Sequence, residues 1–303
     1  MFENAQVIRE HIAVVNARIK MPEEPVGLIN RILDRILADE DFLARYRQAC
    51  ADFFADANDE AHGRIDSLAD EKGVDRNLLA LTFCEMFSAK TLEKYRERLL
   101  PEDVFYDSCI DLRVWSTYFF QETGKWGLRL PCHAEHQLRL KMFRLGRLQF
   151  HLIGFSEGLE YEHAGVHVRG GDRVINIHIP EDGPLSRAAR LDSYMKAYDF
   201  FTQTGNAVFV CDTWLFYPRH VEFLPPKSNI RDFMSEFTLV AHSEYDWTRW
   251  DNSWRVYGFL PSYDLDKLPR NTGLQRAYAD WFAQTGKAGS GQGVMIFDGK
   301  RII

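Results

Sequence analysis

Between residues 174 and 201 the chain reads VINIHIPEDGPLSRAARLDSYMKAYDFF, an alternating segment that passes through Gly183-Pro184 into a helical pattern. In the strand it predicts, Ile175, Ile177 and Ile179 share one face and Asn176 and His178 the other, because strand side chains alternate. Pro180 has no N–H to give a ladder, so the strand ends there, and Ser186 is a competent helix N-cap. Leu191, Tyr194, Tyr198 and Phe201 then form an apolar stripe at helical spacing. A strand that opens into a helix N-terminus presents unpaired N–H groups and the positive end of a helix dipole, a natural seat for an anion.

The segments on either side differ in character. Residues 1 to about 122 predict helix throughout: Ile29, Ile32, Leu33, Ile36 and Leu37 recur at helical spacing, as do Phe42, Tyr46, Phe53 and Phe54, and then Leu79, Phe83, Met86 and Phe87. A last helix over 102–122 carries Phe105, Leu112, Trp115 and Phe119. Gly124, Gly127 and Leu130-Pro131 break the pattern, which sets a helical domain at 1–127 and a second domain at 128–303. Beyond Pro131 the reading is strand: 147–155, then 159–169, then the opening strand, joined by turns into an antiparallel meander of three. After the helix, the apolar run 207–216 suits a strand buried on both faces and parallel to the one before. A short helix near 217–224, closing strands at 233–241 and 255–260, a helix over 273–283 and a glycine-rich loop from Gly286 complete the reading.

A formal net charge of -7 and a pI near 5.8 argue against a chain whose main task is gripping a phosphate backbone. No run of about 18 apolar residues suggests a membrane span, and the first residues form an amphipathic pattern, so a cytoplasmic protein that binds neither membrane nor nucleic acid is expected. Cys50, Cys84, Cys109, Cys132 and Cys211 are widely spaced and contain no C-x-x-C, which predicts buried free thiols. His151, His163, His167 and His178 crowd the strands, yet nothing in their spacing requires one face, and no metal is expected.

The order of strands and helices, with FRLGRLQF (143–150), NIHIPEDGPL (176–185), CDTWLF (211–216), LPPKSNI (224–230) and LPRNTGLQRA (268–277), resembles a bacterial family of two-part proteins. These have a helical N-acyltransferase-like N-terminal domain and a GNAT-like C-terminal domain. The resemblance covers nearly the whole chain and implies an α+β architecture: an all-helical domain followed by a mixed sheet with flanking helices. It also implies acyl-CoA as co-substrate, a small-molecule amine as acceptor, and a cofactor loop at Ile179, Gly183, Leu185, Ser186, Arg187 and Arg190. One departure stands out. The usual loop, Q/R-x-x-G-x-G/A, grips pyrophosphate through backbone N–H groups, whereas 180–186 carries one glycine, a second proline and two carboxylates. A binding or regulatory module that retains the fold without transfer is therefore the alternative.

Acyl transfer to an amine requires a base for the ammonium proton, donors for an oxyanion and a proton for the leaving thiolate. His178 is the candidate base, since imidazole titrates near neutrality. Asp212, after the buried strand, is placed to orient it or to accept a proton, and Tyr217 lies where some related enzymes keep the acid that protonates the thiolate. Arg147, Gln149 and His151 share a strand face; if that face meets Asn176 and His178 they form a polar floor for substrate, and otherwise a solvated surface. The letters G-x-S-x-G at 154–158 sit in a hairpin, where a nucleophile elbow cannot form.

Overall fold

The computed structural model describes residues 5–55, 59–202, 204–258 and 263–303. The chain divides into two units, Met1–Leu145 and Gly146–Ile303, while the break in sequence character lies at 127/128.

The first unit is helical. It comprises α1 (Ala5–Ile19), α2 (Glu23–Ala38), α3 (Glu40–Ala55), α4 (Asp59–Lys72), α5 (Arg76–Glu97), α6 (Glu102–Thr123), α7 (Ala134–Leu138) and a short strand β1 (Phe143–Leu145). The Asp75 carboxylate starts α5 by accepting the N–H groups of Asn77 and Leu78, and Gly124, in the left-handed region at φ 71°, ends α6. Helix α5 is buried on almost every side: from Leu78 to Leu92 every residue but Lys90 is buried, Thr82, Glu85, Ser88 and Thr91 included. Phe53 meets Phe83 and Phe87 edge-on at 5.2 and 5.0 Å. Each of these rings is at most 1% exposed.

The second unit contains β2 (Leu148–Gly154), β3 (Glu160–His163), β4 (Val166–Arg169), β5 (Arg173–His178), α8 (Arg187–Phe201), β6 (Ala207–Thr213), α9 (His220–Phe223), α10 (Asn229–Met234), β7 (Thr238–Asp246), α11 (Trp254–Tyr257), α12 (Gly273–Thr285) and β8 (Lys287–Phe297). Its mixed sheet runs in the order β2-β5-β6-β8-β7. Only the β5–β6 pair is parallel. Phe150, Phe209 and Phe297 stand on the face that α8 covers, where Tyr194 packs on Phe209 at 5.6 Å. Nearer β7 an aromatic cluster of Tyr217, Trp247, Trp250, Tyr278, Trp281 and Phe282 forms a second core.

The expected βα junction stands where the sequence placed it, with Ser186 as the N-cap of α8. Four expectations need correction. The meander of three does not form, because β2 pairs directly with β5 and the segment between them folds back as a separate hairpin of β3 and β4. Residues 255–257 of the expected strand 255–260 are helical, and 259–260 lie outside the described residues. The strand expected over 233–241 begins only at Thr238, after α10. The largest miss is the glycine-rich tail, which is the eleven-residue central strand β8. Its glycines are there because aromatic rings press on it: a Cβ at Gly293 would lie 2.7 Å from the Phe216 ring, and one at Gly291 2.6 Å from the Phe216 carbonyl.

Candidate functional site

In the β2–β5 ladder Gln149 faces His178 and His151 faces Asn176, so all four side chains rise from one face. The condition posed by the sequence is met for these four. His178 Nε2 lies 3.0 Å from Asn176 Nδ2 and 3.0 Å from His151 Nδ1, and the two imidazoles stack at 4.8 Å. One ring donates across the His178–His151 contact and the other accepts; the tautomers follow from whichever way the Asn176 amide is turned. Gln149 is only 1% exposed, whereas Asn176, His151 and His178 are half-buried.

The β5–β6 ladder is short. It covers two pairs, Ile175 with Phe209 and Asn176 with Val210, against six for β2–β5 and seven for β6–β8. Past Asn176 the ladder stops, and the Ile177 carbonyl accepts the Cys211 thiol at 3.4 Å instead. Two residues beyond the last pair, His178 and Asp212 lie on the face that Asn176 and Val210 share. Burial pushes the Asp212 carboxyl above the usual carboxylate range. Its partner across β8 is Gln292, which donates to Ser156 Oγ at 2.8 Å. The serine of the G-x-S-x-G letters is thus a structural tie.

The loop between β5 and α8 is braced by arginines. Arg147 donates through Nη2 to the Gly183 carbonyl at 2.6 Å and through Nε to Pro184 at 3.1 Å, and its guanidinium lies 3.8 Å from Asp182. Arg255 pairs with Glu181 at 3.5 Å. The two carboxylates that set this loop apart are therefore each neutralised by an arginine. Ser186 Oγ accepts the Ala189 N–H, and Arg187 is exposed in the first turn of α8. Arg190 is not: wholly buried, it donates to Leu185 O, Asp232 and both Glu236 oxygens, while Tyr194 also donates to Glu236.

An N-acyltransferase N-terminal domain model matches residues 10–132, and a GNAT-like C-terminal domain model matches residues 142–295. The chain belongs to the two-part N-acyltransferase family with a GNAT-like C-terminal domain. No curated protein matches it by sequence. Among solved structures, a variant acyltransferase in complex with octanoyl-CoA is 21% identical with a TM-score of 0.68, over 94% of this chain and 87% of that one. An acyltransferase in complex with decanoyl-CoA and teicoplanin has the same identity and coverage and a TM-score of 0.66. A third, with CoA and 10C-teicoplanin, is 20% identical with a TM-score of 0.61, over 93% of this chain and 98% of that one. These likenesses fix the fold of this acyltransferase-family chain as helical bundle followed by mixed sheet.

Within that fold the expected site residues separate into three groups. Gln149, Asn176, His178 and Asp212 converge on one sheet face, with His151 added to them. Arg147 turns away to the loop of Gly183, Leu185 and Ser186, which follows Ile179. Tyr217 lies on the other face. Its ring stands over Gly289 and its hydroxyl donates to Glu244 at 2.6 Å, and Gly289 and Glu244 are cross-strand partners there. Burial and the Glu244 carboxylate push the Tyr217 phenol up. Sequence reasoning missed the Ser156–Gln292 tie and His220, which accepts from Tyr278 at 2.5 Å and is held down to about 4 by burial. No local pattern signals either pair, since the partners lie 136 and 58 residues apart. Among the described residues no group of three His, Cys, Asp or Glu is arranged to hold a metal ion, and no helix is long and apolar enough to cross a membrane.

Proposed function

We propose that this protein transfers an acyl group from an acyl-CoA thioester to an amine of a small-molecule acceptor, with the thioester lying where the β5–β6 ladder stops. The observation that carries the reading is the His178–His151 contact beside that stop. Its family membership and the acyl-CoA and teicoplanin complexes of its structural neighbours support the same class of substrates.

In this reading the His178–His151 pair accepts a proton from the acceptor ammonium, freeing the amine to attack the thioester carbon. N–H groups facing the gap between β5 and β6 supply donors for the oxyanion. The proton so held passes from His178 to the leaving thiolate, and the neutral pair then takes the proton released by the attacking nitrogen and returns it to solvent. Two imidazolium rings stacked at this distance would repel, so the pair takes one proton rather than two. Asp212, on the same face, stabilises the imidazolium. The pyrophosphate is received by the loop Ile179, Gly183, Leu185 and Ser186 and by exposed Arg187, with the α8 dipole contributing about 0.3–1 kcal/mol. Gln149 and Asn176 border the acceptor. Arg147 shapes the loop, and Arg190 and Tyr217 have packing roles.

Calorimetric titration with acetyl-, octanoyl- and decanoyl-CoA, followed by mass spectrometry of reactions with an amine panel, tests the proposal. Binding followed by an acylated amine supports transfer. A second reading, acyl-CoA binding without transfer, is favoured by a loop whose nearest arginine, Arg147, already spends its donors on the Gly183 and Pro184 carbonyls; it predicts heat of binding with no acylated product.

A further inference from the structure

The sheet face that carries His178 changes character along its strands. Beside the ladder stop it is polar, with His178, Asn176, Asp212 and Gln292; behind them it turns apolar, with Val174, Val210 and Val294. The hairpin of β3 and β4 lies over that apolar end. Its Leu159, Tyr161, Val166 and Val168 turn inward and pack against the three valines, while the residues alternating with them are exposed. Val168 reaches deepest and is only 3% exposed. Two side-chain ties hold the hairpin in place: Tyr161 donates to Thr238 Oγ1 on β7 at 3.3 Å, and Gln292 donates to Ser156 Oγ, at the hairpin's root, at 2.8 Å.

We propose, resting on the acyl-CoA reading above, that this hairpin is the end wall of the acyl site and that Val168 sets the length of the group transferred, favouring short ones such as acetyl and propionyl. With pyrophosphate at the loop after β5 and the thioester at the ladder stop, pantetheine runs back along β5. An acyl chain that continues the same line passes over Asn176 and Val210 toward Val174, about 7 Å beyond Asn176 by strand rise. Val168 already fills the space above Val174. Within this unit the other directions are closed as well. The opposite face of the sheet is occupied by Phe150, Phe209 and Tyr194 of α8. A tail turned sideways would lie on His151 and Gln292, stripping water from polar groups that methylenes cannot bond. The nucleotide end is untouched by any of this, so long-chain thioesters still bind. Their carbonyl is held away from His178, and discrimination appears in kcat.

The test assays the full chain with acetyl-, butyryl- and octanoyl-CoA against whichever amine of the panel gives the most product, quantified by mass spectrometry. From acetyl to octanoyl, kcat should fall about tenfold or more, with calorimetric affinity for the two thioesters alike. Val168→Ala should raise the octanoyl-to-acetyl ratio of kcat several-fold. His167→Ala, on the solvent side of the same hairpin, should leave that ratio at its wild-type value. Each ratio is internal to one protein sample, so a smaller folded fraction in a variant cancels. Wild-type transfer of octanoyl as fast as acetyl, or an unchanged ratio in Val168→Ala, overturns the length limit while leaving the transfer reading intact. No product from any of the thioesters overturns the transfer reading itself, and this inference with it.

Discussion

His178 Nε2 approaches His151 Nδ1 to 3.0 Å along the diagonal of the β2–β5 ladder. The contact depends on the register, because His151 faces Asn176 and reaches His178 only as the next residue on the same face. A slip of β2 by one residue would send the His151 ring to the face that packs against α8 and leave His178 without it. Whatever this pair does is therefore built into the backbone pairing.

If His178 moves the ammonium proton, His178→Ala should lower the transfer rate by about 10²–10⁴-fold and leave acyl-CoA affinity unchanged. His151→Ala should give a smaller loss and alter the acid limb of the pH–rate profile. Steady-state kinetics alongside calorimetry separates these outcomes; a parallel fall in thermal stability would make the pair structural.

Arg190 is expected to matter for folding. Its guanidinium joins α8 to Glu236 and Asp232 with no exposure of its own, so Arg190→Ala strands the buried Glu236 carboxylate and should cost about 3–5 kcal/mol in urea unfolding. Arg187→Ala, by contrast, should leave the melt unchanged and weaken acyl-CoA binding several-fold. Reversed behaviour of the two would move the phosphate site.

The junction from β5 into α8 was legible in the sequence because its signals are local: alternation at Ile175 and Ile177, a proline that closes the strand and a serine that caps the helix. The polar face was legible only conditionally. Gln149 and His151 meet Asn176 and His178 because the intervening hairpin drops out of the sheet, and the local sign of it, Gly165 at the tip between β3 and β4, is a single glycine inside a run that otherwise reads as one strand. Strand β8 was hidden because glycine at 289, 291 and 293 reads as loop until the rings that need the space are known. Arg147 has the same difficulty. Its carbonyl partners lie 36 and 37 residues away, so its composition suggested a substrate contact where the fold uses a brace.

Tyr217→Phe should retain transfer, since the hydroxyl is committed to Glu244 on the face away from His178. Gly291→Ala should be far worse despite its smaller chemistry. Its Cβ would meet the Phe216 carbonyl at 2.6 Å, backbone that cannot turn aside, and overpacking of this kind costs about 1–3 kcal/mol in denaturant unfolding.

The helical unit should lose stability on the alkaline side of neutrality. Burial raises the Glu85 carboxyl from 4.5 to about 8 in the folded chain, where Asn16 donates to it at 2.8 Å. Between those values the folded state binds a proton the unfolded state does not, so stability falls as pH rises, by about 1.4 kcal/mol per unit. His11, lowered from 6.5 to about 4 by burial, has the opposite slope, and its contribution is complete above 6.5. The fall should therefore show from pH 6.5 to 8, and chemical denaturation of Glu85→Gln across that window should be flat.

Hydrogen exchange of the full chain with and without saturating octanoyl-CoA tests the central reading most directly. The account predicts slowed exchange confined to amides of residues 177–189 and 211–213, where the β5–β6 ladder stops and α8 begins. Unchanged exchange there, or protection only at distant segments, would contradict an acyl-CoA site beside His178.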